Sequence, residues 1–183
     1  MTGKAGFVDV ETTGLEHNDE IVELAIILFS FDYRTGKLIE VLDEYTGLRE
    51  PKVPIHPRAR SVHGLDRSQL AGKSLNRNRV QILISEADFL IAHNASFDRR
   101  FVSKLFPEAK DKTWLCSMSG ISWKSRGFDS RGLQNLLRDH NVKPERAHRA
   151  LSDVRSALKL LTSKNRNHKY NTYLHELLEK SSA

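Results

Sequence analysis

Two carboxylates stand two residues apart near the start of the chain, where Asp9 and Glu11 alternate with the apolar or β-branched residues Val8, Val10 and Thr12. In a β-strand, residues i and i+2 point to the same face, so these two side chains would lie next to each other. Adjacent carboxylates repel, and burial is costly unless a cation compensates. Mg²⁺ and Mn²⁺ prefer such oxygen ligands. The pattern predicts part of a divalent metal site, or alternatively an edge strand with two solvated acids.

A third carboxylate, Asp98, follows the short apolar segment 89–92 at the point where a helix is predicted to begin. Its position has a structural alternative, because a helix N-terminus stabilises negative charge and Asn94 is a good capping residue. His93 and Phe97 of the same segment also suit either a site or the core. The segment by itself leaves both interpretations open.

A fourth carboxylate, Asp153, begins the periodic segment 151–161, five residues after His148. That spacing separates the two side chains by about 140° on a helix, so they meet only if His148 lies in the preceding loop. Ser152 and Asp153 are also common at helix starts. Together, however, four carboxylates suffice to hold two divalent ions about 4 Å apart, and a histidine can accept a proton from water near neutral pH.

The elements that must position these residues are visible in the hydrophobic pattern. Strands are predicted over 5–11, 21–33 and 38–45, with a turn at 34–37, followed by a buried strand over 89–92. Helical turns are predicted over 58–71, and helices over 76–86, from Ala95, around 133–137 and over 151–161. Three antiparallel strands followed by strand–helix units predict an α/β mixed sheet flanked by helices. Residues 164–183 are predicted to be an amphipathic helical tail that docks on the same domain.

Length and composition favour one globular domain over residues 1–183. The hydrophobic content is 39%, and we expect neither a secretory leader nor a membrane span. The single cysteine, Cys116, follows two apolar residues, so we predict a buried structural thiol and a reducing, cytoplasmic location.

Charge is distributed unevenly along the chain. Residues 1–50 hold 11 acidic and 4 basic side chains, whereas residues 51–183 hold 12 acidic and 25 basic ones. An acidic site beside a basic surface suits a polyanionic substrate, although basic residues also serve simply as solvated surface. The candidates for phosphate contact are Arg99, Arg100, Lys124, Arg126, Arg131, Arg146 and Arg149.

These segments resemble the DEDDh family of 3′-to-5′ exonucleases over roughly residues 5–162, particularly the proofreading domain of bacterial DNA polymerase III epsilon subunits. Asp-Val-Glu-Thr-Thr-Gly-Leu at 9–15, His-Asn-Ala-Ser-Phe-Asp at 93–98 and His-Arg-Ala-Leu-Ser-Asp at 148–153 are similar to its three motifs. Val-His-Gly-Leu at 62–65 is similar to a further segment of epsilon-like members. Each motif is short, but the four together, in this order, are specific. The departures are small: Val154 stands where alanine is frequent.

The resemblance implies a ribonuclease H-like fold and two Mg²⁺ or Mn²⁺ ions. Asp9 would bridge both ions, Glu11 and Asp153 would complete one site, and Asp98 would hold the second. His148 would be the general base. The residues expected to contact the substrate or shape its site are Thr12, Thr13, Gly14, Leu15, His63, His93, Asn94 and Phe97.

The resemblance further implies hydrolysis of single-stranded or frayed DNA 3′ ends to nucleoside 5′-monophosphates. Trimming of RNA 3′ ends is the main alternative, because the sequence does not reveal contacts to the 2′-hydroxyl. A non-catalytic nucleic-acid-binding module is less favoured, since all five catalytic positions are present. The chain ends thirty residues after Asp153, so a stable polymerase partner is not expected. The sequence makes no prediction of oligomeric state.

Overall fold

A five-stranded mixed sheet forms the centre of the computed structural model, which describes residues 1–167 and 169–181. The strands are β1 (Thr2–Thr12), β2 (Ile21–Asp32), β3 (Leu38–Leu48), β4 (Phe89–Ala92) and β5 (Trp114–Cys116). Their order in the sheet is β3-β2-β1-β4-β5. The pairs β1–β2 and β2–β3 are antiparallel, whereas β1–β4 and β4–β5 are parallel. The long strand β1 therefore joins an antiparallel meander to a parallel half.

Seven α-helices connect and cover these strands in the described part of the chain. They are α1 (Pro57–His63), α2 (Arg67–Leu70), α3 (Arg77–Glu86), α4 (Ala95–Leu105), α5 (Leu133–Asp139), α6 (Ala150–Leu161) and α7 (Tyr173–Ser181). Short 3₁₀ turns span Pro107–Lys110 and Lys124–Arg126.

The period-2 alternation of β1 sends its side chains to two separate cores. Phe7 packs in the cluster that β1 shares with α5, α6 and α7. Val8 and Val10 pack in the cluster formed with α3 and α4. Because side chains alternate along a strand, Asp9 and Glu11 belong to the same face as Phe7, which is the face that α6 covers. This assignment places the two acids opposite the helix that carries Asp153.

The predicted fold class, an α/β mixed sheet of the ribonuclease H-like type, is confirmed. The third strand extends to Leu48 and the last helix begins at Tyr173, later than the hydrophobic pattern suggested in each case. The prediction of a buried thiol at Cys116 is wrong, because that side chain is half-buried. It ends β5, a three-residue strand at the edge of the sheet.

The predicted tail, residues 164–183, contains α7, and residues 168, 182 and 183 of that tail lie outside the described residues. Tyr173, Leu174 and Leu177 are buried in the core beneath α6. Glu176 is also fully buried and accepts hydrogen bonds from Arg126 at 2.8 Å and Lys180 at 2.6 Å. The division of the chain into a domain and a tail remains a prediction. Within the described residues, no helix is long and apolar enough to span a membrane.

The buried charge on α7 generates a stability prediction. Glu176→Ala should lower the free energy of unfolding by about 3–5 kcal/mol, because it leaves the Arg126 guanidinium without its carboxylate. Glu179→Ala on the same helix is the matched control, since Glu179 is 63% exposed and lies 3.8 Å from His175. That control should change the free energy by less than about 1 kcal/mol. Urea denaturation followed by circular dichroism measures both, and equal losses would contradict the prediction.

Candidate active site

Three carboxylates from two elements converge at the C-terminal end of β1. Asp9 and Glu11 of β1 and Asp153 of α6 each offer an oxygen, and these oxygens all lie within 4.8 Å of one another. The arrangement follows from the packing, because α6 covers the face to which Asp9 and Glu11 point. Asp153 is buried, and the other two are half-buried. An oxygen-rich group of this kind suits a hard divalent cation.

Asp98 reaches the same end of β1 from the opposite side of the sheet. It lies in the first turn of α4, is 3% exposed, and accepts a hydrogen bond from the backbone N–H of Val10 at 3.2 Å. The structure therefore brings Asp98 next to the three-carboxylate group without including it in that group. Asp98 also occupies the first turn of α4, as the alternative of a helix-start acid predicts, but it does so as a buried residue.

Burial, with the crowding of acidic neighbours, raises the pKa values of these carboxyl groups. Loss of solvent contact, followed by repulsion from Asp98 and then Glu11, raises the pKa of Asp9 well above its usual value. Burial, with Asp153 and Glu23 nearby, raises the pKa of Glu11 to about 8. Burial raises the pKa of Asp98 to about 7, and it also raises the pKa of Asp153. In the absence of a compensating cation, the site therefore holds protons near neutral pH.

His148 lies in the loop before α6, where the sequence required it to be if it was to meet Asp153. Its φ of 59° places it in the left-handed region, and its backbone N–H donates to Asp153 Oδ2 at 3.0 Å. The side chain is exposed. The structure thus places a solvent-accessible imidazole beside the carboxylate group.

Two neighbours of the carboxylates were not predicted from the sequence. Gln134 of α5 donates to Asp153 Oδ1 at 2.8 Å. Glu23 of β2 is the direct cross-strand partner of Glu11 and is 3% exposed. A charged residue inside the otherwise apolar strand β2 was the available signal for Glu23. Nothing in the sequence distinguishes Gln134 from other polar residues of a helix.

A cleft of about 350 Å³ opens beside Glu11. Leu15 and Val62 give it apolar walls and are 74% and 50% exposed, respectively. Its lining residues are Glu11, Thr12, Gly14, Leu15, Glu16, Asp19, His56, Arg58, Ala59, Val62 and His63. The cleft combines apolar walls, a cationic side and an acidic end.

The predicted substrate residues divide into two groups. Thr12, Gly14, Leu15 and His63 line the cleft, whereas Thr13, His93, Asn94 and Phe97 do not. Thr13 is fully buried, and its hydroxyl donates to Asp19 Oδ1 at 2.7 Å. Gly14 allows this contact, because a Cβ there would stand 2.5 Å from the Asp19 carboxylate. Asn94 lies at the N-cap position of α4, but its side chain makes no capping hydrogen bond.

The two predicted histidines are engaged in hydrogen bonds within the protein. His63 Nδ1 accepts from the Leu65 N–H at 3.0 Å, so its Nε2 is the donor to the carbonyl oxygen of Thr12 at 3.2 Å. His93 Nε2 lies 2.8 Å from the carbonyl oxygen of Arg131, and its Nδ1 lies 2.9 Å from the Ser117 hydroxyl. These contacts fix the end of β1 and the end of β4, respectively.

The loop that carries Leu15 is fastened to α4. The Arg100 guanidinium donates to the carbonyl oxygen of Leu15 at 2.7 Å and lies 4.7 Å from the centre of the Phe101 ring. Lys104 donates to the carbonyl oxygen of His17. Phe97 packs against Phe101 with ring centres 4.9 Å apart. Arg100, a candidate for phosphate contact, thus has a partner within the protein.

Other candidates for phosphate contact have internal partners as well. Arg126 is paired with Glu176 and Arg149 with Glu23, while Arg99 donates to the carbonyl oxygen of Lys110. Arg99 remains exposed, whereas Arg126 and Arg149 are engaged by buried glutamates. The sequence could not separate them from solvated arginines, because the pairing depends on tertiary contacts.

Comparison with known proteins identifies the relatives of this chain. The sequence profile of the exonuclease family matches residues 7–161. The PolC-type DNA polymerase III of Thermotoga petrophila is 28% identical over 163 residues, which are 81% of this chain and 11% of the polymerase. Exodeoxyribonuclease 10 of Escherichia coli K12 is 32% identical over 111 residues, which are 61% of this chain and 44% of that protein. The chain thus spans less than half of these relatives.

The fold also matches solved structures. Exonuclease X in complex with 5′ overhanging duplex DNA superposes with a TM-score of 0.62 at 24% identity. The match covers 93% of this chain and 99% of that one. At this identity the similarity concerns the fold, and it agrees with the mixed sheet described above.

The raised pKa of Glu11 predicts how stability depends on pH in the absence of divalent ions. Between the ordinary value of 4.5 and the folded value of about 8, the folded state retains a proton that the unfolded chain releases. Its contribution to stability is therefore complete below pH 4.5 and is lost as the pH rises through about 8. In EDTA, the melting temperature should fall from about pH 5 to pH 8.

Two controls test the cause of that fall. Glu11→Gln should make it shallower, because the amide does not titrate, whereas Glu179→Gln should leave it unchanged. Mn²⁺ added at pH 8 should raise the melting temperature, since a ligand that binds the folded state stabilises it. Parallel curves for wild type and Glu11→Gln, measured by differential scanning fluorimetry, would contradict the assignment.

Proposed function

We propose a function for this chain on the basis of its family. The chain belongs to the exonuclease family, whose profile matches residues 7–161. The chain is, in this proposal, a divalent-metal-dependent 3′-to-5′ exonuclease that acts on single-stranded or frayed DNA ends and releases nucleoside 5′-monophosphates. The observation that carries it is the group formed by Asp9, Glu11 and Asp153, with oxygens within 4.8 Å.

This group fits a divalent cation on the chemistry of its donors. It offers carboxylate oxygens alone, and burial followed by the neighbouring acids Asp153 and Glu23 raises the pKa of Glu11 to about 8. Asp9, Glu11 and Asp153 would hold one ion, and Asp9 with Asp98 would hold a second. Bound there, such ions stabilise the charge that develops on the attacking and leaving oxygens of a phosphodiester.

His148 is proposed as the general base. Its exposed ring stands in the loop that is hydrogen-bonded to Asp153, so it can accept the proton of a water molecule that approaches the carboxylate group from solvent. The adjacent carboxylate Asp153 would stabilise the imidazolium that results.

The cleft beside Glu11 is proposed to receive the terminal nucleotide. Leu15 and Val62 present apolar surface of the kind on which a base or sugar can pack, and Arg58 and His56 also line the cleft. Contacts of this type tolerate many base sequences. DNA is the proposed substrate because the relatives include an exodeoxyribonuclease and a DNA polymerase.

A competition assay tests the reaction and the sugar preference together. DNA and RNA oligomers of the same sequence carry different 5′ dyes and are incubated in one tube with Mn²⁺. The DNA should shorten one nucleotide at a time from its 3′ end, and EDTA should stop the reaction. Asp9→Asn should reduce the rate to background while preserving the fold, because it removes a carboxylate shared by the proposed ligand sets.

The outcomes of this assay separate the alternatives. Faster shortening of the RNA would replace DNA by RNA as the substrate class. Tight binding of both oligomers without cleavage would support a non-catalytic module. Cleavage that persists in Asp9→Asn would show that a contaminating nuclease is responsible.

His148→Ala should lower kcat by about 10²–10⁴-fold if this residue is the general base. Mn²⁺ affinity should be preserved, because the proposed ligands are carboxylates. His17→Ala is a suitable control, since His17 lies in an exposed loop and accepts a hydrogen bond from Lys104 through its backbone oxygen. Rates measured in single-turnover experiments check the assignment, and near-normal turnover in His148→Ala would remove this residue from the mechanism.

A further inference from the structure

A buried ion pair connects β2 to the loop that carries His148. Arg149 Nη2 lies 2.7 Å from Glu23 Oε1, and Arg149 Nε lies 2.9 Å from Glu23 Oε2. The side chain of Glu23 is 4% exposed and that of Arg149 is 24% exposed. Both carboxylate oxygens thus meet the guanidinium in the two-pronged geometry that makes such pairs strong and directional.

The same carboxylate also caps α6. The backbone N–H of Ala150, the first residue of the helix, donates to Glu23 Oε2 at 3.1 Å. The residue at the N-cap position, Arg149, provides no capping hydrogen bond of its own. The first N–H groups of a helix need acceptors, and its N-terminus favours negative charge. Glu23 meets both needs from a different element.

This contact fixes the chain between two functional positions. His148 immediately precedes the Arg149–Ala150 segment, and Asp153 follows within the first turn of α6. His148 adopts a φ of 59°, a conformation that costs a non-glycine residue energy and persists only when its surroundings enforce it. The Glu23 contacts on one side and the hydrogen bond from His148 N–H to Asp153 on the other are such surroundings.

The Glu23–Arg149 pair also affects the electrostatic environment of the proposed metal ligands. Glu23 stands directly across from Glu11 in the β1–β2 register, and like charges in that position repel. The guanidinium of Arg149 is close enough to lower the pKa of Glu11, although burial and the neighbouring acids dominate. If the carboxylate of Glu23 were lost, Arg149 would be free to pair with Glu11 and compete with a cation.

We propose that Glu23 and Arg149 are positioning residues for the active site: they hold His148 and Asp153 in place relative to Glu11 and keep the Arg149 guanidinium away from the ligand carboxylates. The inference rests on the proposed function for its kinetic consequences. It assigns neither residue a contact with the substrate.

The main variants are Glu23→Gln and Arg149→Lys. The NH₂ group of Glu23→Gln must face either Arg149 Nη2, or Arg149 Nε and the Ala150 N–H together. Arg149→Lys keeps the charge without the two-pronged fork. Each should lower kcat by about 10- to 100-fold, the usual effect of losing a residue that orients a metal ligand, with little change in KM for a DNA oligomer. The double variant should be no slower than the slower single variant, because both remove one interaction.

A second ion pair on the same helix provides the matched control. Arg155 of α6 pairs with Glu44 of β3 through two hydrogen bonds, at 2.9 Å and 2.5 Å. This pair likewise ties α6 to the sheet. Arg155 also lies 3.4 Å from Glu145, three residues before His148, so the substitution is made in Glu44, whose partner on α6 is Arg155. Glu44→Gln should therefore leave kcat within about twofold of wild type, as expected for a partly exposed pair.

A readout independent of turnover separates this inference from the proposed function. Mn²⁺ titrated into each protein and followed by electron paramagnetic resonance should bind about tenfold more weakly to Glu23→Gln than to wild type or Glu44→Gln. An inactive wild-type protein would refute the proposed function, and the Mn²⁺ affinities would still test the pair. Melting curves identify any variant that fails to fold. If Glu23→Gln does not fold, the kcat and Mn²⁺ affinity of Arg149→Lys decide.

Two results would overturn the positioning role. One is wild-type kcat and Mn²⁺ affinity in folded Glu23→Gln and Arg149→Lys. The other is an equal loss of kcat and Mn²⁺ affinity in Glu44→Gln. That result would show a general loosening of α6 rather than a specific effect on the placement of His148 and Asp153.

Discussion

Repulsion among carboxylates at the C-terminal end of β1 is the constraint on which the site depends. Five acidic side chains meet there, namely Asp9, Glu11, Glu23, Asp98 and Asp153. The fold offsets their charge in several small ways. The N-termini of α4 and α6, which favour negative charge, face this end of the sheet, and the N–H groups of Val10 and His148 donate to Asp98 and Asp153. Burial, with the neighbouring acids, still raises the pKa values of Asp9 and Glu11, and a bound cation would oppose that rise.

The cleft next to the carboxylates depends on packing more than on charge. Contacts of the loop that carries Leu15 hold its apolar wall in place. Leu15 is 74% exposed, so its own side chain contributes little to folding. The loop that presents it is fixed instead by the Thr13–Asp19 hydrogen bond and by Arg100. Rigid backbone beneath an exposed apolar side chain favours binding, since less conformational entropy is lost when a ligand packs against it.

Sequence patterns were sufficient for residues whose position follows from local periodicity. Asp9 and Glu11 share a face because strands alternate, and Asp98 and Asp153 lie at helix starts that the hydrophobic pattern marks. The roles of Glu23, Gln134 and Arg149 depend instead on strand register and on helix packing, which single-sequence periodicity does not encode. The same limit explains Arg126 and Arg149, which resemble solvated arginines in sequence but are paired with buried glutamates in the fold.

Hydrogen bonds within the protein also affect how the carboxyl groups at the end of β1 tolerate burial. Asp98 is held by the Val10 N–H, and Asp153 by Gln134 and the His148 N–H, so each carboxylate has an acceptor role whether or not a cation is present. Burial, together with the neighbouring acids, raises the pKa of Glu11 to about 8, so this carboxyl group retains its proton near neutral pH. A cation that enters such a site displaces protons and needs little rearrangement. Glu23 binds Arg149, the nearby guanidinium, through two hydrogen bonds, and in the positioning role proposed above this pairing keeps the guanidinium from the other carboxylates.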